Sequence, residues 1–144
     1  MMDKPSVCVD FDGVIASWNL GSFHTPGPPI PGSREFLEEL SRFARIVIWT
    51  CRTNAPLYDG QPVEELVGGV QGWLDLWGLS QYVSEIYAGG SKPFVACYID
   101  DKAIHCEPEI GSHHCGYTAT LVKARAMCAN GKQFCSKEEV NEKV

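Results

Sequence analysis

Two aspartates, Asp10 and Asp12, follow the apolar run Val7-Cys8-Val9 and are followed at once by Gly13. The run reads as a short buried strand, with Asp10 at its tip and Asp12 just past it. Residues two apart share one face of a strand, so the carboxylates are crowded together. At about 4 Å and an effective dielectric near 20, two such charges repel by about 4 kcal/mol. A fold tolerates that where a positive species, usually a metal ion, belongs between them. Gly13 lets the chain turn sharply away and leaves the tip open.

Three further positions share this character. Thr50 ends the apolar run Ile46-Val47-Ile48-Trp49, Lys92 precedes Pro93, and Asp100-Asp101 close the run Phe94 to Ile99. Carboxylates at strand tips, with a hydroxyl and a lysine nearby, suit a divalent cation and an anion together. All candidate ligands are hard oxygens (Asp10, Asp12, Asp100 and Asp101), which favours Mg²⁺. The cation and Lys92 would neutralise a phosphate, to which Thr50 would donate a hydrogen bond. Backbone amides after Asp10 and after Thr50, those of Cys51 and Arg52 among them, add donors. Arg52 either binds substrate or pairs with an acid to fix its loop. One carboxylate is then free to attack phosphorus, and Asp10 is better placed for it. Asp12 is left to protonate the leaving alcohol and later to activate water.

The elements that must position these groups alternate. Residues 6–11 read as a strand, 33–44 as a helix with Ser33 as N-cap, and 45–50 as a second strand. A second helix spans 62–77, weakened by Gly68, Gly69 and Gly72 and stopped by Gly78. Strands at 82–87 and 94–99 follow, then a polar stretch and a helix at 117–129. Ser136 to Glu139 fit a capping box that opens a terminal helix. This order predicts an α/β fold with a mainly parallel sheet covered on both faces. Ligands in such sheets bind beyond the C-terminal strand ends, where Asp10, Thr50 and Asp100 would converge. Residues 13–31, rich in Gly and Pro, are longer than a usual connection and read as a functional flap.

Composition sets bounds. The 144 residues suit a single domain, 1–144, with 44% hydrophobic and 21% charged residues. A net charge of −6 disfavours generic binding to nucleic acid or to an anionic membrane. No leader pattern or membrane-length apolar run is present. Seven cysteines, an odd number, with Cys8, Cys51 and Cys97 in or beside strands as small buried hydrophobes, point to a reduced, cytoplasmic protein. His105, Cys106, His113, His114 and Cys115 are of zinc-ligand type but lack paired spacing, so a polar loop with a few buried thiols is the expectation there.

The motifs together resemble those of the haloacid dehalogenase-like (HAD) hydrolases. Asp10-Phe11-Asp12-Gly13-Val14 is similar to their first motif, Thr50 after its apolar strand to the second, Lys92 to the third and Tyr98-Ile99-Asp100-Asp101 to the fourth. The order is the family's, over residues 6 to 105. The resemblance implies a Rossmann-like three-layer sandwich, Mg²⁺, and phosphoryl transfer through an aspartyl-phosphate on Asp10. It implies Asp12 as general acid/base that also ligates the metal through its backbone carbonyl. It further implies Asp100 as the direct ligand of the fourth motif, with Asp101 holding a metal-bound water or Lys92. An aspartate at position 12 favours a phosphatase over a dehalogenase. Neither gap between motifs has room for a separate cap domain, so a small capless member is expected, its open site closed by the flap or by a neighbouring subunit of a homo-oligomer. Trp18, Phe23 and His24 read as flap packing that could reach a leaving group. The acidity of the chain favours a small phosphorylated metabolite, sugar phosphate or nucleotide as substrate. The alternatives are a nucleic-acid end or phosphoprotein as substrate, a catalytically idle binding or regulatory domain, and a zinc-binding interaction protein using residues 105–115.

Overall fold

A computed structural model describes residues 3–106 and 115–130. The chain divides into two compact units, Met1–Asp101 and Lys102–Val144. The first contains strands β1 (Ser6–Val9), β2 (Arg45–Trp49), β3 (Val83–Tyr87) and β4 (Cys97–Ile99), with helices α1 (Ser33–Phe43) and α2 (Val63–Leu76). In the second, α3 spans Cys115–Ala129. The capping box at 136–139 and most of the His/Cys segment, including His113 and His114, lie outside the described residues.

All four strands are parallel, in the order β3-β2-β1-β4. Alternation along the strands sends Val7, Val9, Ile46 and Ile48 to one face, where they meet Leu37 and Leu40 of α1 and Val70, Trp73 and Leu74 of α2 in one core. The helix connections β1-α1-β2 and β2-α2-β3 advance the chain in one direction. It then returns past β1 to add β4 on the far side. That reversal between β1 and β4 is a topological switch point, the place where open parallel sheets bind ligands.

Three expectations need correction. The helix start at Ser33 is not a side-chain cap. Gly32, at φ 92°, supplies the N-terminal turn and Ser33 is the first helical residue. The fourth strand is not 94–99 but only Cys97–Ile99. Residues 88–96 carry the chain from the tip of β3 back to the base of β4, and it reaches the β1 edge at Ala96, whose amide donates to the Ser6 carbonyl at 2.9 Å just before β4 begins. Phe94, on this connection, is fully exposed. Of the strand cysteines, Cys8 is buried but Cys51 and Cys97 are exposed, because β4 is an edge strand and Cys51 begins a loop. The face of the sheet opposite α1 and α2 holds Cys8, Val47, Trp49, Tyr87 and Tyr98 by register, and the 88–96 connection is tied to it, with Tyr98 Oη donating to the Pro93 carbonyl.

The C-terminus of α2 ends as expected. Gly78, at φ 67°, donates to the Asp75 carbonyl and Leu79 donates to Leu74, a Schellman turn that seats Leu74 and Leu79 in the core. Among the described residues, no helix is long and apolar enough to cross a membrane.

Candidate functional site

The site lies within the first unit and starts from the β1–β4 ladder. The amide of Asp10 donates to the Ile99 carbonyl at 2.9 Å, so the ends of these two strands are held side by side. Asp100 and Asp101 follow Ile99 directly. One carboxylate oxygen from each of Asp10, Asp100 and Asp101 lies within 4.8 Å of the others. Asp10 also accepts a hydrogen bond from the Phe11 amide at 2.8 Å.

The Asp10 carboxyl is pushed up to about 7. Burial is the largest cause and disfavours the charged form. The Phe11 amide opposes the shift, while the Asp100 charge and both the hydrogen bond and the charge of Asp101 reinforce it. Three carboxylates gathered this closely are matched to a hard divalent cation. The donor set contains no sulfur or imidazole, so the residues present fit Mg²⁺.

Gly13 permits the approach of Asp101. Its φ is 83°, and a Cβ placed there would sit 2.4 Å from Asp101 Oδ2. The Gly13 amide is used by the Ala16 carbonyl, and the amides of Val14, Ile15 and Ala16 all donate to the Phe11 carbonyl. This tight turn buries Phe11 and Ile15 and so fixes Asp10 and Asp12 from behind.

Asp12 faces a different partner. Arg52 grips it with Nε on Oδ2 and Nη2 on Oδ1, each at 2.7 Å. The pair is largely withdrawn from solvent, with side chains 8% and 16% exposed. The same guanidinium donates through Nη2 to the Ser22 carbonyl at 3.0 Å and through Nη1 to the Phe23 carbonyl at 2.9 Å. Of the two readings of Arg52, pairing with an acid is therefore the arrangement present. Thr50 is buried, and its Oγ1 accepts the Arg52 amide at 3.2 Å, capping a 3₁₀ turn over Cys51–Thr53. Thr53 Oγ1 ties that turn to the Tyr87 carbonyl at the end of β3.

Lys92 is placed on the 88–96 connection, its ammonium 4.5 Å from the centre of the Tyr98 ring. Among the described residues no carboxylate lies within ion-pair distance of it. The fold thus gathers Asp10, Asp100 and Asp101, links Asp12 to Arg52, and sets Thr50 at the neighbouring strand end. Lys92 sits beside Tyr98, two residues before Asp100, without touching the acidic group.

The flap is a closed loop. Ser17 donates to Pro28 and Ile30 to Ile15, pinning its two ends together. Gly27 packs so closely that a Cβ would fall 2.2 Å from the Ser17 carbonyl, and Trp73 Nε1 donates to the Gly27 carbonyl at 2.8 Å. At the tip, Phe23 stacks on Tyr58 with centroids 4.4 Å apart, His24 packs edge-on against Phe23, and Tyr58 Oη donates to the Phe23 carbonyl at 3.2 Å. Sequence reading missed Tyr58 and Trp73 as partners of the flap. Trp73 falls on the apolar stripe of α2 and reads as core, which it also is. Tyr58 carries no periodic signal at all.

Comparison with protein-family models, curated proteins and solved structures finds no match.

Proposed function

We propose that the chain is a Mg²⁺-dependent phosphomonoesterase of HAD-like type that works through an aspartyl-phosphate on Asp10. The observation that carries this reading is the convergence of Asp10, Asp100 and Asp101 at the switch point between β1 and β4. The substrate class favoured by the acidity of the chain is a small phosphorylated metabolite, sugar phosphate or nucleotide.

Asp10, Asp100 and Asp101 would hold the cation, which supplies charge neutralisation for the carboxylates and the phosphoryl oxygens. Asp10 attacks phosphorus with a carboxylate oxygen, and the bond to the leaving alcohol breaks. Asp12 gives that alcohol its proton, then takes one from the water that hydrolyses phospho-Asp10, releasing phosphate and restoring both carboxyl groups. Thr50 and the Cys51 amide supply hydrogen bonds to the phosphoryl oxygens, the Arg52 amide being used by Thr50 Oγ1, and Lys92 supplies a positive charge. Donation of a proton by Asp12 requires its bidentate pair with Arg52 to loosen.

That closed pair also favours a second reading, a site that binds cation and phosphate without turnover. A screen of nucleotides, sugar phosphates, phosphoamino acids and 3′-phosphorylated DNA, with Mg²⁺ or with a chelator, separates the two. The phosphatase reading expects Mg²⁺-dependent release of phosphate that Asp10→Asn abolishes. No turnover of any substrate, combined with Mg²⁺-dependent vanadate binding, would establish the idle site. Turnover that survives Asp10→Asn would rule out the nucleophile.

A further inference from the structure

The flap tip and the first-motif aspartate are not in contact with one another in any described hydrogen bond, yet one side chain holds both. Arg52 spends two N–H groups on Asp12, one of which comes from the same nitrogen that reaches Ser22, and a further one on Phe23. The Phe23 carbonyl receives a second donor from Tyr58 Oη, while the Phe23 and Tyr58 rings stack. The guanidinium also lies 5.9 Å over the Phe11 ring, which fixes its plane from below.

We propose that Arg52 is a positioning residue that couples the flap tip to Asp12, so that the hold on either one depends on the other. The physical ground is the planar fork. A guanidinium satisfied by Asp12 on one edge is oriented so that its remaining N–H groups meet the Ser22 and Phe23 carbonyls. Remove the carboxylate and a buried cation loses its counter-charge and its orientation together, so it turns or leaves toward solvent. The Ser22 carbonyl then loses its Arg52 donor and the Phe23 carbonyl keeps Tyr58 Oη but not Arg52, although nothing in the flap has changed. Linkage makes the coupling reciprocal: a ligand that draws Asp12 away from Arg52 loosens the flap tip, and fixing the flap tip tightens the pair. The coupling itself needs no turnover. Its relevance to a leaving group rests on the phosphatase reading above.

The base and the tip of the flap are held by different groups, which makes the proposal testable residue by residue. The tip amides of Ser22 and Thr25 bond to Thr25 O and Ser22 Oγ, whereas the base amides of Ser17 and Ile30 bond to Pro28 and Ile15. Native-state hydrogen exchange on the substrate-free, chelator-treated protein reads both. Asp12→Asn is expected to speed exchange of the Ser22 and Thr25 amides by about tenfold or more, with Ser17 and Ile30 unchanged. Arg52→Lys, which keeps the charge but not the fork, is expected to do the same, and it carries the test should Asp12→Asn fail to fold. Tip exchange equal to wild type in either folded variant would overturn the proposal. So would an equal acceleration at tip and base, which would mark general destabilisation instead. Because no substrate is present, a failure of the phosphatase reading leaves these outcomes untouched.

Discussion

Asp10→Asn should make the metal-free protein more stable at neutral and alkaline pH. The native carboxyl holds its proton up to about 7, against 3.8 for the ordinary group. At about 1.36 kcal/mol per unit, keeping Asp10 ionised in the folded state costs about 4 kcal/mol. The sign follows from the proton count. Between pH 3.8 and about 7 the folded state binds the proton and the unfolded state does not. The contribution of Asp10 to stability is therefore complete below pH 3.8 and lost as pH rises through about 7. Asparagine carries no charge, and its amide oxygen can still accept the Phe11 amide, so the variant escapes the loss. Urea unfolding in chelator from pH 4 to 8.5 measures this. The variant should exceed wild type by up to about 4 kcal/mol at pH 8, and the gap should close toward pH 4. Adding Mg²⁺ should restore the wild type, by about 2.7 kcal/mol at one hundred times its dissociation constant, and should help the variant much less. A variant equal to or less stable than wild type at pH 8, or a gap that ignores pH, would refute the electrostatic argument.

Gly13→Ala should cost about 1–2 kcal/mol for its left-handed backbone alone, and it should also push Asp101 off the acidic group. The Mg²⁺-induced rise in melting temperature should shrink, and a rise equal to that of wild type would show that Asp101 does not depend on this glycine. Trp73→Phe removes the buried donor to the Gly27 carbonyl and should cost about 1–3 kcal/mol in urea, with earlier proteolytic cleavage in residues 17–28. An unchanged midpoint would mean that the flap does not need this anchor. Lys92→Ala loses a cation–ring contact worth about 0.5–1 kcal/mol at an exposed site, so the fold should barely respond while KM for a phosphate ester rises. Unchanged KM and kcat would remove Lys92 from the site.

Much of the framework was legible because its signals are local. The 3.6-residue stripes of α1 and α2, the apolar strands β1 and β2, and Gly78 past the end of α2 all act within a few residues, and each element appears where its pattern put it. The α/β class and the parallel sheet follow from their alternation. Long-range demands erased local signals elsewhere. The apolar stretch 94–96 reads as strand but is spent on the return from β3 to β4. Gly32 took the turn for which Ser33 had the better side chain, because the chain leaving Pro31 needs a left-handed residue there.

The sequence alone determined which chemical groups end the strands: Asp10 and Asp12 after β1, Thr50 after β2, and Asp100 and Asp101 after β4. Only the tertiary structure decided which of them meet. Strand order set Asp10 beside Asp100 and Asp101, and a loop forty positions away in sequence delivered Arg52 to Asp12. The physical reason is that a strand or helix is specified by neighbours along the chain, whereas a pairing of charges is specified by the sheet order and the packing that bring distant strand ends together. The opening Asp-x-Asp pair was therefore divided by the fold: one carboxylate joined an acidic trio suited to a cation, and the other was claimed by an arginine that also grips the flap.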